Sequence, residues 1–391
     1  VALEQIEDSL RKLQRYIERE NYKGYDPYDT LNSVIPFRSF GKWTPIIATQ
    51  IQKRNPFNIR GLIGIKKDYN PKGIGLFLHG YSILAKRKSS DKFEKQTKKL
   101  ITILKNKITK GYHGSCWGYN FGWSSPEKYL APFSPTSVAT GFVAKGLFAY
   151  YQVTKDEKIK ELLLSIGNFV CEDLERVESA DGAFISYSTK KLDCCYNASL
   201  LAGEILAILH VLSPNEKYKR LAIETVKFVV KQQHTDGHWG YSLNLKTGKE
   251  RIQTDFHQGF VLESIYNIVT LLGYDDTDTD YAMRKGLDYY VKHQFNNNGR
   301  SYWRIPAKYP TDIHHQAQGI ITICRMKKFA PQYLPFAEQI ATWTIENMQN
   351  KKSGAFIYKK GIIFNNPIKF MRWGQAWMFV ALSELISIKE K

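Results

Sequence analysis

The chain has 391 residues, 43% of them hydrophobic and 14% aromatic, enough apolar material to bury a large core and to exclude a mainly disordered protein. Its 56 Lys and Arg against 37 Asp and Glu leave a formal charge of +19, which favours encounter with anions and says nothing of fold. No apolar run in the sequence approaches the roughly 18 residues that cross a bilayer, so no transmembrane segment is expected.

Read from the N-terminus, Leu3–Glu20 is amphipathic at helical spacing, and an extended lead-in follows to about residue 70. Gly73–Lys86 is apolar nearly all round, as a buried helix must be. The turn Arg87–Ser90 then leads to Asp91–Lys107, with Lys and Glu along one side. A loop rich in aromatic residues comes next, Gly111–Trp123, and the pattern then recurs. Pro135–Tyr151 reads as buried, Asp156–Val177 as amphipathic and Ser179–Ser188 as an aromatic loop. The same triplet returns as Tyr196–Leu212, Glu216–Gln233 and His234–Ser242, and again as Asp255–Leu272, Asp280–Phe295 and Asn297–Ile305. Asp312–Lys328, Gln332–Gln349 and Lys352–Lys359 repeat it once more before a last buried helix, Arg372–Ile388.

The loops share central glycines, Gly114, Gly182, Gly237, Gly299 and Gly354, separated by 68, 55, 62 and 55 residues. Each loop reads as a small β-hairpin or extended segment whose glycine takes positive φ. Six buried and six amphipathic helices, joined by short polar turns at one end and long aromatic loops at the other, describe an all-α (α/α)6 toroid. The whole chain, 1–391, is expected to form this one domain. Its long loops gather where the inner helices begin, and that rim is the one expected to carry function.

Set in this succession of helices, Trp117-Gly118-Tyr119-Asn120-Phe121-Gly122-Trp123, Thr254-Asp255-Phe256-His257 and Thr311-Asp312-Ile313-His314 resemble the six-hairpin glycosidase-like group of (α/α)6 proteins. That group includes sugar epimerases, unsaturated-uronide hydrolases and polysaccharide lyases. More narrowly, the segments resemble an uncharacterised set of toroids from prokaryotic surface-polysaccharide clusters. The resemblance covers about Pro71 to Ser387 and implies a carbohydrate-active protein. Prenyltransferases and terpene cyclases share the shape, so the resemblance does not choose a reaction.

The two T-D-x-H segments lie 57 residues apart at the starts of inner helices, where unpaired N–H groups and the positive dipole end favour anions. Asp255 and Asp312 are read as caps or as catalytic carboxylates, and His257 and His314 as proton-transfer groups suited to neutral pH, the alternative being rings packed beneath the loop. Tyr196 and Asn197 open another inner helix; Arg372, Trp373 and Gln375 open the last. Of these, Arg372 with Asn197 suits a substrate carboxylate, the alternative for Arg372 being a structural ion pair. Trp117, Tyr119, Trp123, Tyr187, His238, Trp239, Tyr302, Trp303, Arg304 and Tyr358, together with His315, complete the candidate substrate-binding set. Aromatic rings stack on sugar faces, although the same rings also pin hairpins together.

Asp255, His257, Asp312, His314 and His315 contain the right atoms for a mixed metal site, but no third element fixes its geometry, and no metal or other cofactor is expected. Cys116, Cys171, Cys194, Cys195 and Cys324 form an odd set without a CxxC pair, against a disulfide framework. With no basic stretch and apolar core in the opening residues, a cytoplasmic location is expected. The run Asp275–Asp280 resembles the acid motif of terpene cyclases but falls on the far rim, where it reads as a solvated turn capping a helix near Tyr281.

The reading that follows is an enzyme on an acidic, uronate-containing saccharide. His removes the C5 proton while Arg and Asn hold the carboxylate, giving epimerase or lyase chemistry. A glycoside hydrolase built on Asp255 and Asp312 is the alternative, then a non-catalytic polysaccharide binder, with terpenoid chemistry a minor option. The expected partner is an acidic saccharide and not a nucleic acid; oligomeric state is left open.

Overall fold

The computed structural model describes residues 3–86 and 91–389, so the expected turn at 87–90 lies outside the described residues. The helices in chain order are α1 (Leu3–Arg19), α2 (Thr44–Arg54), α3 (Pro71–Ala85), α4 (Asp91–Asn106), α5 (Ser137–Thr154) and α6 (Glu157–Asn168). They continue as α7 (Tyr196–Leu212), α8 (Glu216–Lys231), α9 (His257–Leu272), α10 (Thr277–Gln294), α11 (Ile313–Arg325), α12 (Leu334–Met348) and α13 (Trp377–Lys389).

Helices α3, α5, α7, α9, α11 and α13 pack in that order, and α13 returns to pack on α3, closing an inner ring. Outside it, α4, α6, α8, α10 and α12 each pack on the inner helix before them, while α1 packs on α13. The first and last helices of the chain thus make the sixth hairpin of an (α/α)6 toroid. Burial follows the residue pattern. In α7 every residue from Tyr196 to Leu209 is buried; in α4 only Phe93, Thr97, Leu100, Ile101 and Leu104 are, one stripe of a Lys-rich helix.

The loop glycines have a packing reason as well as a conformational one. Gly182, Gly237, Gly299 and Gly354 take positive φ, as expected, but in the first loop Gly111 does so instead of Gly114. What all five central glycines share is close approach to the backbone of the next outer helix. A Cβ on Gly114 would sit 2.1 Å from Ser165 O, and one on Gly354 2.4 Å from Lys12 O.

A second device ties the loops down from inside. Gln258 accepts from Trp239 N and donates to Gly237 O, Gln316 accepts from Ser301 N and donates to Gly299 O, and Gln375 accepts from Phe356 N and donates to Phe356 O. Short strands also join neighbouring loops around the rim, Cys194–Cys195 with Ser242–Leu243, and Thr311–Asp312 with Lys359–Lys360.

Three local expectations are corrected. The outer segment expected through Val177 leaves the helix after Asn168, makes a π-turn over Phe169–Asp173, and enters a strand at Arg176. Helix α10 begins at Thr277, not near Tyr281, because Asp276 accepts from Thr279 N at 2.9 Å and caps it there. The lead-in is not extended: it forms 3-10 turns at Asp29–Asn32 and Phe37–Phe40 and then α2, held by Arg60, which is fully buried on Asp29 at 2.7 Å.

Candidate active site

Five inner helices, at their N-terminal ends, and the turn leading into the sixth contribute residues to one cavity of about 420 Å³, a size ordinary for a small-ligand site. Lys72 comes from α3, Val138 from α5, Asn197 from α7, His257 from α9, His314 from α11, and Arg372 with Trp373 from the turn leading into α13. The loops supply Tyr119, Phe121, Trp123, Tyr187, Tyr241, Trp303 and Arg304, and α2 in the lead-in closes one side with Gln50, Lys53 and Arg54.

Helix α9 starts with an Asp-His pair. Asp255 Oδ1 accepts from the His257 backbone N–H at 3.2 Å and lies 2.6 Å from His257 Nδ1. Its Oδ2 accepts from Gln253 at 2.9 Å and faces Arg304 at 3.5 Å. Burial alone would raise the Asp255 pKa, but the His257 imidazole and its hydrogen bonds, with Arg304 behind them, bring it below the ordinary value. Asp255 is therefore an ionised, fully engaged group. It fixes the tautomer with the proton on Nδ1, leaving Nε2 of a cavity-lining imidazole as the acceptor.

Helix α11 starts with the same sequence pattern and a different outcome. Asp312 Oδ1 caps the helix by accepting from His314 N at 3.0 Å and also accepts from Trp373 Nε1 at 2.8 Å. Its Oδ2 is buried without a hydrogen-bond partner. Burial raises the Asp312 pKa against the opposing pull of Lys359 and its hydrogen bonds. His314 is stacked on Phe256 with centroids 4.5 Å apart and packs beside Trp377 at 4.6 Å, with neither ring nitrogen hydrogen-bonded. Burial, then Lys72 and Arg372, hold it neutral well below the usual histidine range. Asp312 is thus the N-cap of α11, whereas Asp255 lies one residue before the N-cap of α9 and holds the His257 N–H; both line the cavity, and their environments push their pKa values apart.

Seven basic side chains line the cavity: Lys53, Arg54, Lys72, Arg251, Arg304, Lys359 and Arg372. Burial pushes Lys53 and Lys359 down to about 8, and Lys72, under the rings of Phe142, Phe260 and Trp377, well below its ordinary value. Only Arg304 and Arg372 were among the sequence candidates. Arg372 takes the alternative reading, since its Nε and Nη2 make a bidentate pair with buried Asp26 at 2.6 and 2.7 Å. Its fork is occupied, so the cations with side chains left for a substrate are chiefly Lys53, Lys359 and Arg304.

The structure brings together His257, His314, Asp255, Asp312, Asn197, Arg372, Trp373, Tyr119, Trp123, Tyr187, Trp303 and Arg304. Eight candidates stand outside the cavity lining. Trp117 and Trp239 are core anchors whose indole N–H groups donate to Leu104 O and Val229 O. Gln375 ties a loop, as described above. His315 binds the Tyr302 carbonyl at 3.0 Å, beneath the loop that carries Tyr302, and burial takes its pKa to about 4. Tyr358 is buried edge-on to Phe370, Tyr196 donates to Glu250 at 2.8 Å, and His238 stacks on His234 and pairs with Asp236. The five candidate metal ligands do not converge, and among the described residues no group of three or more His, Cys, Asp or Glu is placed to hold a metal ion. The acidic run Asp275–Asp280 lies between the C-terminal end of α9 and the first turn of α10 and is not part of the cavity lining.

No family model matches the chain, and no curated protein matches it. Solved structures do. The chain is similar to cellobiose 2-epimerase from Bacillus thermoamylovorans, with a TM-score of 0.64 at 12% identity over 83% of this chain and 89% of that one. It is similar to an unsaturated glucuronyl hydrolase from Streptococcus agalactiae, with a TM-score of 0.65 at 14% identity over 100% and 93%. A family 76 glycoside hydrolase from a bovine Bacteroides thetaiotaomicron strain gives 0.67 at 11% identity over 99% and 78%. The fold these structures share with the chain is the (α/α)6 toroid. Similarity at these identities speaks for fold alone, and the reaction has to be argued from the site.

Proposed function

We propose that the protein is an enzyme acting on an acidic saccharide, and that it removes the proton beside a uronate carboxylate. The observation that carries this reading is the His257–Asp255 pair opening onto a cavity ringed by cations. A uronate carboxylate seated against Lys359, Lys53 and Arg304 has its charge neutralised, which makes the adjacent C5–H more acidic. His257 Nε2 takes that proton, and Asp255 stabilises the imidazolium that forms. Elimination then needs a proton for the departing O4. Asp312, its pKa raised by burial and its Oδ2 unpaired, suits that donation. The lyase outcome is favoured over epimerisation for this reason, because His314, the other basic candidate, is held neutral. Structural likeness to sugar-active enzymes agrees with a saccharide substrate.

A second reading rests on the same Asp312. An unpaired carboxyl with a raised pKa near an ionised partner is also the pattern of a glycoside hydrolase. It is the weaker reading because both oxygens of Asp255 are already engaged. The test is a proton NMR time course in D2O with uronate-containing saccharides first shown by calorimetry to bind. Unsaturated-uronate signals, lost in His257→Ala and in Asp312→Asn, are expected. Deuterium at C5 without an unsaturated product would turn the assignment to an epimerase. New reducing ends without either signal would replace it with hydrolysis. No change in any saccharide that binds would leave a binding protein.

A further inference from the structure

The lead-in that walls the cavity has a second face. Helix α2 turns Gln50, Lys53 and Arg54 to the cavity, while Trp43, Ile47 and Ile51, spaced i, i+4, i+8, stand 57%, 55% and 66% exposed. A surface helix normally turns such a stripe inward. The loop after Lys360 adds Ile362, Ile363 and Phe364, each at least three-quarters exposed, and Asn366 anchors it beside the end of α2 by donating to Asn55 O at 3.1 Å. Of the seventeen large apolar side chains exposed among the described residues, eleven fall in residues 34–62 and 362–364. Such a concentration marks a surface that something covers.

Charge identifies the covering partner. Residues 30–67 contain no Asp or Glu and expose Arg38, Lys42, Arg54, Lys66 and Lys67, and residues 347–383, also without Asp or Glu, add exposed Lys351 and Lys352 and half-buried Lys360 and Lys369, while Arg60, Lys359 and Arg372 are buried. Exposed aromatic and aliphatic side chains set among cations match the headgroup region of an anionic bilayer, where rings sit at the interface and lysines pair with phosphates. A second copy of this chain fits poorly, because a symmetric contact would press two faces of the same sign together. No described helix is long and apolar enough to cross a membrane, so the contact is with its surface. We propose that this face docks the protein on anionic lipid and holds the cavity mouth at the membrane, whichever reaction the cavity performs. A saccharide carried on a lipid would then be presented to the site within the same plane.

The test is flotation of the full chain with vesicles of phosphatidylglycerol in phosphatidylcholine, against phosphatidylcholine alone. The chain is expected to float with the anionic vesicles. The triple variant Trp43→Ser, Ile47→Ser, Phe364→Ser, altering exposed side chains outside the cavity, should bind them at least about tenfold more weakly with unchanged circular dichroism. Equal flotation with both vesicle types, flotation with neither, or full binding by the triple variant overturns the proposal. So does a lipid-free dimer, seen by sedimentation velocity, that the triple variant dissolves, which would assign the face to a second copy.

Discussion

Lys53 and Lys359 are the residues whose chemistry the fold alters most usefully. With pKa values pushed to about 8 by burial, both carry charge at pH 7 and lose it as pH rises past 8, well before an ordinary lysine does. KM for an acidic saccharide should therefore rise between pH 7 and 9, and kcat should fall with it, because the same charges acidify C5–H. Lys359→Met should raise KM at pH 7 by about tenfold and flatten that rise, the size expected for one charge-assisted contact; steady-state kinetics across pH decide it. The stability linkage runs the other way. Between about pH 8 and 10.5 the unfolded chain binds more protons than the folded one, so these two groups add stability as pH rises through that window. Asp312 offers a complementary case. Asp312→Asn keeps an acceptor for His314 N and Trp373 Nε1 and removes a buried carboxyl that burial disfavours as an anion. It should abolish turnover while leaving the melting temperature unchanged or higher, a trade of stability for function. Both aspartates and His257 were legible because helix starts announce themselves in sequence. Arg372 was legible with a structural ion pair as one of its two readings, but the partner was not, since Asp26 is 346 positions away and carries no local signal.

At the scale of elements, the toroid was readable because the repeat combines two independent periodicities, an apolar helix all round and an amphipathic one beside it. The lead-in was not, for a physical reason. Helix α2 turns its apolar stripe outward, so no pattern pointing at a core betrays it, and with it Lys53 and Arg54 escaped notice. The T-D-x-H repeat misled in a related way. It recurs at 57 residues, whereas Gln258 and Gln316, which do the same job of tying down a loop, are 58 apart. The two motifs are therefore out of register by one residue. His257 corresponds to His315, and Phe256 to His314, so the two aspartates occupy different positions and acquire different environments. Gln375 belongs to that loop-tying series and not to a binding set. Gln375→Leu should leave the buried Phe356 N–H unpaired and cost roughly 1–3 kcal/mol of stability, measured by urea unfolding. Activity per folded molecule should hold, since no cavity side chain is removed.

Across the whole molecule, a polar layer lies deeper along the inner helices than the cavity, and each of the six contributes one residue to it: His79, Lys145, Glu204, Glu263, Arg325 and Glu384. Lys145 pairs with Glu204 at 3.0 Å and with Glu263, and Arg325 pairs with Glu263, with Glu384 at 3.0 Å and with His79 at 3.2 Å. Ser264, Asn267 and Gln318 donate to the same glutamates. Burial, with Arg325 and Lys145 nearby, keeps His79 neutral. Three carboxylates thus face two cations, and the surplus is spread over neutral donors. If these pairs, which link all six inner helices, specify how the ring packs, they act together and not one by one. The layer should behave as a unit. Lys145→Met, which leaves buried Glu204 without a cation and Glu263 with Arg325 alone, is expected to cost about 3–5 kcal/mol. Adding Glu263→Gln should recover part of that loss, because it reduces the excess of carboxylates over the one remaining cation while keeping an oxygen that accepts from Arg325. Urea unfolding of wild type, both single variants and the double variant measures the coupling directly. Additive losses would mean that the pairs stabilise the ring independently and that the layer does not specify how the ring packs.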